Sequence, residues 1–320
     1  MTAKRVNAAW RKILQANYYF GKYKEVIWLL GDGRSGTTWV SDLINYQKKF
    51  REMFEPFHPK VVPEINFIEP HQYVRPYDLD ERLMKFAKKI FTGAFTHSRV
   101  NSGHQPFVYR GLLIKDIFAN LLCFWAVVNF SDVRPVLLMR NPFAVALSKY
   151  RKKNWFWMTE PTDFLRQSAL YEDYLFRFED LIQQVSYEKN YILNQVLIWS
   201  IIHYIPLCQF KSGDLYVCFY EDIYNEPSQE ISKILQFVKR RDKSPVISIP
   251  KDVVEKPSRV SNKDRNFFSG PSPTSSWKEE LPSKIIDDGL KILHQFGFDN
   301  LYDDMSMPNR EVLNTILGSS

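Results

Sequence analysis

The stretch VIWLLGDGRSGTTWVSDLIN, residues 26–45, decides the fold. It opens on an apolar run, Val26-Ile27-Trp28-Leu29-Leu30, which reads as a parallel strand buried on both faces. Gly31-Asp32-Gly33-Arg34-Ser35-Gly36-Thr37-Thr38 follows, with three glycines in six positions and then two hydroxyls. Beyond it, Trp39, Val40, Leu43 and Ile44 recur at helical spacing, with polar Ser41, Asp42 and Asn45 between them. Strand, glycine loop and helix in succession bring backbone N–H groups together at a helix N-terminus, where an anion is stabilised.

Gly31 and Gly36 stand at the two glycine positions of the nucleotide-binding pattern G-x-x-x-x-G-K-[ST], but Thr37 holds the lysine position. That lysine normally reaches the β- and γ-phosphates, so an ordinary ATPase or kinase is poorly supported. The cation sits inside the loop instead, as Arg34. Such a loop suits one compact tetrahedral group on which charge develops, rather than a triphosphate–magnesium unit.

The run G-x-G-R-S-G-T-T-W resembles the 5′-phosphosulfate-binding loop of the sulfotransferases that use 3′-phosphoadenosine 5′-phosphosulfate (PAPS). The resemblance implies that Gly33, Arg34, Ser35, Gly36, Thr37 and Thr38 bind the co-substrate. Arginine at position 34 is similar to the carbohydrate sulfotransferases and many bacterial relatives; the cytosolic branch usually has lysine there. It runs from about residue 25 to 300 and is strongest in its first half.

Further along, Met53-Phe54-Glu55-Pro56-Phe57-His58-Pro59 reads as a stiff extended loop one helix after the anion loop, able to return over the same site. Glu-Pro here resembles the carbohydrate and bacterial branch, in which this glutamate is a candidate general base. Glu55 is therefore assigned as the base, with His58 as the competing residue. Residues 108–115, VYRGLLIK, read as a second strand ending in Lys115-Asp116-Ile117. Cytosolic sulfotransferases have Lys-Thr-His at a similar place. The lysine is kept, as a catalytic candidate, and the histidine is absent, which adds weight to Glu55.

Residues 133–139 read as a third strand, ending in Arg140-Asn141-Pro142 ahead of a helix. Arg140 lies at a strand's C-terminal end, where open α/β sheets bind ligands, and Ser148 follows about two helical turns later. The spacing resembles the family's 3′-phosphate site, with Arg140 and Ser148 as the phosphate ligands. Lys149, Arg151, Lys152 and Lys153 nearby read as solvated. Trp155, Phe156 and Trp157 suit either an acceptor pocket or core packing. Residues 191–210 read as an apolar helix, 215–222 as another buried strand and 228–238 as a helix. In the segment 256–277 the resemblance implies a basic residue closing over the nucleotide. Arg259 is favoured, with Ser258, Lys263 and Arg265 as alternatives, and Trp277 precedes a helix over 282–296.

The fold class that follows is α/β, a central parallel sheet flanked by helices, of the P-loop nucleotide-binding type. Residues 25–304 read as one domain with acceptor-side insertions, among them the polar, aromatic and irregular stretch 61–105, from which no chemistry is read; a basic, aromatic helical segment over 1–24 precedes it and a loosely ordered tail over 305–320 follows. An apolar share of 45% in 320 residues is ample for a core. A formal charge of +7 suits anionic ligands, and its spread along the chain, with no recognition motif, argues against nucleic acid. Cys123, Cys208 and Cys218 show no metal-binding spacing, and no metal constellation is visible. With no secretory signal or transmembrane anchor read, the cytoplasm is the expected compartment. The N-terminal segment (Trp10, Ile13, Leu14, Tyr18) is read as packing against the domain, with peripheral contact to a membrane surface as the alternative. The expected reaction is sulfuryl transfer from PAPS to the hydroxyl of a sugar, glycolipid or glycan, with no metal. A small-molecule kinase and an inactive nucleotide-binding scaffold stand as the alternatives.

Overall fold

The computed structural model describes residues 23, 25–103, 109–152, 158–211, 213–240, 246–257, 274–303 and 305–318. Trp155 to Trp157, Ser258, Arg259, Lys263, Arg265 and the N-terminal segment apart from Tyr23 lie outside these residues.

Five strands form one parallel sheet: β1 (Glu25–Gly31), β2 (Phe50–Phe54), β3 (Gly111–Lys115), β4 (Val133–Met139) and β5 (Tyr216–Phe219). Their order is β2-β3-β1-β4-β5, so the chain leaves β1 toward one edge and later crosses to the other. The C-terminal end of β1 is thus the topological switch point, the place where such sheets open a crevice. Every residue of β1 is buried, as its continuous apolar run requires. The period-two alternation divides the core. Ile27, Leu29, Leu113, Val136, Leu138 and Cys218 pack beneath α1 (Thr37–Ile44) and one further helix, and Trp28, Leu30, Ile114, Leu137 and Phe219 face the other layer.

That other layer contains α2 (Glu81–Phe91), α3 (Cys123–Asn129), α4 (Pro142–Arg151) and α5 (Tyr191–Gln209). Asp80 starts α2, its side chain accepting the N–H of Leu83. Asn141 does the same for α4, accepting from Phe143 and Ala144, with Pro142 at the first helical position. Helix α5 is long and apolar enough to cross a membrane by length and composition, but 78% of its apolar window is buried inside the fold. It is the core helix of this layer. After β5 come α6 (Tyr220–Asn225) and α7 (Pro227–Lys239), the second helix on the α1 side, followed by α8 (Ser283–Gln295).

Three segments differ from the sequence reading. Residues 50–54 form edge strand β2, where only a loop was read around Met53 and Phe54. Its charges are internal: Arg51 donates to the carbonyls of Gly93 and Phe95 at 2.5 and 2.7 Å, and Glu52 accepts from Ser41. The strand expected over 215–222 stops at Phe219, and Tyr220-Glu221-Asp222 opens α6. The tail expected to be loosely ordered contains a helix, α9 (Arg310–Gly318). Leu313 and Leu317 on it join the main core, and Arg310 bridges Asp222 and Glu230 at 2.5 and 2.9 Å. Two apolar side chains and a shared cation outweigh the entropy of ordering so short a segment.

Deleting residues 309–320 should therefore lower stability by about 2–4 kcal/mol, the burial of two leucines less the ordering cost. Urea denaturation measures this, and an unchanged midpoint would show that α9 carries no weight.

Candidate active site

The loop between β1 and α1 owes its shape to two left-handed residues. Gly36 has φ of 95° and caps α1 without a side chain, leaving the first-turn N–H groups to face an anion. A Cβ at Gly36 would stand 2.5 Å from the ring of Tyr220, so glycine is required for space as well as for conformation. Arg34 has φ of 71°, a conformation that a non-glycine residue seldom adopts without a reason. The Ser35 hydroxyl is spent within the loop, donating to the Asp32 carbonyl at 2.7 Å.

Three residues singled out by spacing meet here. The Arg34 Nε donates to Ser148 Oγ at 3.2 Å, and an Arg140 guanidinium N–H donates to the Arg34 carbonyl at 3.0 Å. Arg140 lies 4.3 Å over the Tyr220 ring, a cation–π contact that fixes its plane. Burial, and then the neighbouring Arg140, hold the Arg34 guanidinium below its ordinary value. Burial and Arg34 together also lower Lys152. Like charges gathered in this way make a site for an anion. Behind them, Glu221 accepts the Asn141 N–H at 2.9 Å and so fixes the turn that carries Arg140. Burial pushes the Glu221 carboxyl up to about 7 against that hydrogen bond and the Arg140 charge. The segment Tyr220-Glu221 thus touches the site at two points, through the Tyr220 ring and the Glu221 carboxylate.

A second cluster lies where β2 and β3 end. The Glu55 N–H continues the ladder to the Lys115 carbonyl at 2.7 Å, and the residue then turns to a φ of 50°. Its carboxylate takes Lys115 Nζ on one oxygen at 2.6 Å and Arg99 on the other at 2.9 Å. Burial alone would raise the Glu55 carboxyl, but the charge and hydrogen bond of Lys115, with Arg99, hold it below the usual range. Burial pushes the His58 ring down to about 4, against the pull of Glu55, so His58 is neutral near pH 7. Asp116 fastens the loop from below, accepting Trp28 Nε1 at 2.9 Å and the Phe57 N–H at 3.0 Å. Burial pushes its carboxyl up to about 7 in spite of both bonds.

Glu55, His58 and Lys115 are therefore brought together, as are Arg34, Arg140 and Ser148, while Gly33, Ser35, Thr37 and Thr38 are buried in or beside the loop. Sequence reasoning missed Arg99, which reaches Glu55 from an irregular insertion, and Asp116, which was quoted only as the residue after Lys115. It misread Lys149. That side chain is buried, not solvated, and forms an ion pair with Asp32 at 2.7 Å. The Asp32 in the loop was the one available signal, an acid in an anion site with no named counter-charge. Among the described residues, no group of three or more His, Cys, Asp or Glu side chains is placed to hold a metal ion.

The sulfotransferase domain family matches residues 24–286, most of the chain. The chain belongs to that family and is a PAPS-dependent sulfotransferase, an enzyme that moves a sulfuryl group to an acceptor. Among solved structures it is similar to a sulfotransferase from Alicyclobacillus acidocaldarius at 15% identity, over 85% of this chain and 94% of that one, with a TM-score of 0.40. It is similar to the sulfotransferase domain of the Synechococcus PCC 7002 olefin synthase at 16% identity, over 86% and 94%, with a TM-score of 0.44. Retinol dehydratase in complex with androsterone and the inactive cofactor PAP matches at 16% identity, over 93% and 88%, with a TM-score of 0.40. No curated protein matches the chain in sequence.

The His58 ring gives a pH prediction. Its value falls from 6.5 in the open chain to about 4 in the fold, so between these limits the unfolded state binds more protons. Stability from this group is complete above 6.5 and is lost as pH falls toward 4. The His58→Gln variant should lose less stability than the parent over that window in urea titrations at stepped pH. Identical slopes would place the acid sensitivity elsewhere.

Proposed function

We propose that this enzyme transfers the sulfuryl group of PAPS to a hydroxyl on a sugar, glycolipid or glycan, with each half of the crevice holding one reactant. Arg34 and the backbone N–H groups of residues 33–38 hold the 5′-phosphosulfate, Arg140 and Ser148 hold the 3′-phosphate, and Arg259 closes over the nucleotide. The observation that carries this reading is the meeting of Arg34 with Ser148 and of Arg140 with the Arg34 carbonyl. It supports two phosphate sites lying close together, as a nucleotide with phosphates at both ribose ends requires. The acceptor class rests on Arg34 and on the Glu55-Pro56 pair, which resemble the carbohydrate branch. The three cysteines are free, which supports the cytoplasm as the compartment. The reaction is assigned no metal.

In the step itself, the acceptor oxygen forms a bond to sulfur as the bond from sulfur to the bridging phosphate oxygen breaks. The acceptor proton passes to Glu55, and the charge left on the phosphate is met by Arg34 and Lys115. Glu55 held by two cations is a weak base. An incoming phosphosulfate competes for Lys115, and as Lys115 turns toward the leaving oxygen, Oε1 of Glu55 gains basicity at the moment a proton must be taken. Donor binding and base activation are thereby one event.

Two variants test this. Glu55→Gln keeps the size but cannot take the proton, and should cut kcat by about 10²–10⁴-fold with nucleotide affinity preserved. His58→Ala serves as the competitor; activity lost there and kept in Glu55→Gln would move the base to His58. Arg140→Ala removes a charge-assisted contact worth about 1.5–3 kcal/mol, and should weaken adenosine 3′,5′-bisphosphate far more than AMP in calorimetry. Equal losses would overturn the 3′-phosphate assignment.

A further inference from the structure

The loop that receives the donor contains a carboxylate of its own. Asp32 is buried inside the loop, two residues before Arg34. A negative charge fixed at that distance from a phosphosulfate repels it, and in a buried setting little solvent screens the repulsion. The carboxylate is met by Lys149, whose Nζ stands 2.7 Å from both Asp32 oxygens and 2.8 Å from Oε1 of Gln195. Lys149 is 2% exposed. Gln195 is fully buried on α5, and its amide donates to the Met158 carbonyl at 3.0 Å, which fixes the oxygen that Lys149 uses. His71 and His203 are also buried, His71 near Lys149 and His203 near both Lys149 and Asp32. Burial, and then Lys149, keeps His71 well below its ordinary value, and burial holds His203 at about 4, so neither ring supplies a second cation near pH 7.

Lys149 directly follows Ser148 on α4, and Asp32 lies in the loop after β1. The pair thus ties the segment assigned to the 3′-phosphate to the loop assigned to the phosphosulfate, from the buried side. We propose that Lys149 is a charge-compensating residue for the donor: it neutralises the buried Asp32 so that the loop's carboxylate does not repel the donor's anionic groups, without touching the nucleotide. This rests on the donor-site reading above.

The test is a charge cycle on the full chain, with adenosine 3′,5′-bisphosphate and uncharged adenosine as probes, read by calorimetry and NMR titration. Lys149→Met leaves Asp32 uncompensated and should weaken the bisphosphate by 10-fold or more while changing adenosine binding less than 3-fold. Adding Asp32→Asn to that variant removes the repulsion and should restore the bisphosphate to within about 5-fold of the parent. Asp32→Asn alone keeps the cation and should bind the bisphosphate at least as tightly as the parent, which decides the matter where Lys149→Met does not fold. Equal losses for both probes would mean that Lys149 is only structural. A double variant as weak as Lys149→Met, or a weakened Asp32→Asn, would also overturn the proposal. A parent chain that fails to bind the bisphosphate would overturn the donor-site reading instead.

Discussion

Two guanidiniums held against one another at the ends of neighbouring strands are the constraint on which the site depends. Arg140 reaches the Arg34 carbonyl and Arg34 reaches Ser148, and burial and mutual repulsion both act against the Arg34 charge. An arrangement of this kind is unfavourable by itself and persists because the fold over-determines it. Glu221 fixes the backbone beneath Arg140, Tyr220 lies flat against its guanidinium, and left-handed Gly36 makes room for that same ring. An anion placed between the two guanidiniums would relieve that repulsion. On the donor-site reading proposed above, that relief would also orient a donor charged at both ends, which is most of what sulfuryl transfer asks of a protein.

The Glu55 cluster is built on the opposite sign. Glu55 is a single carboxylate between two cations, standing on a loop whose next turn is pinned by Asp116 through the Phe57 N–H. Asp116 reaches across the sheet to Trp28 in the central strand, so the Glu55 loop is referenced to the same strand that launches the anion loop. The anion loop and the Glu55 loop are thereby both tied to one element, β1.

How much of this was legible in the sequence follows from chain distance. The anion loop was legible because strand, glycines and helix are contiguous, and Arg140 with Ser148 because one helix spaces them. The central strands were legible as unbroken apolar runs. Strand β2 was not, since Arg51 and Glu52 read as solvent-facing until Gly93, Phe95 and Ser41 supply their partners. Lys149 was hidden by its basic neighbours; only the approach of Asp32, 117 residues earlier, and of Gln195 gives it a buried counter-charge. Helix α9 was hidden because its two leucines gain their weight from the main core and Arg310 from Asp222 and Glu230, 88 and 80 residues earlier.

Arg99 carries the last step. It comes from the irregular insertion between α2 and β3, the part of the chain from which no chemistry could be read, yet it holds one oxygen of the carboxylate proposed as base. The same insertion lies on the acceptor side of the crevice in the sequence reading. A segment that recognises the acceptor and also sets the charge on the base cannot change one property without the other. An acceptor that displaced Arg99 from Glu55 would remove one of the two cations depressing the carboxyl and raise its basicity. An acceptor that left the pair intact would meet a weaker base. Selectivity and proton removal would then share one ion pair, and an acceptor could be bound well and still be transferred to slowly.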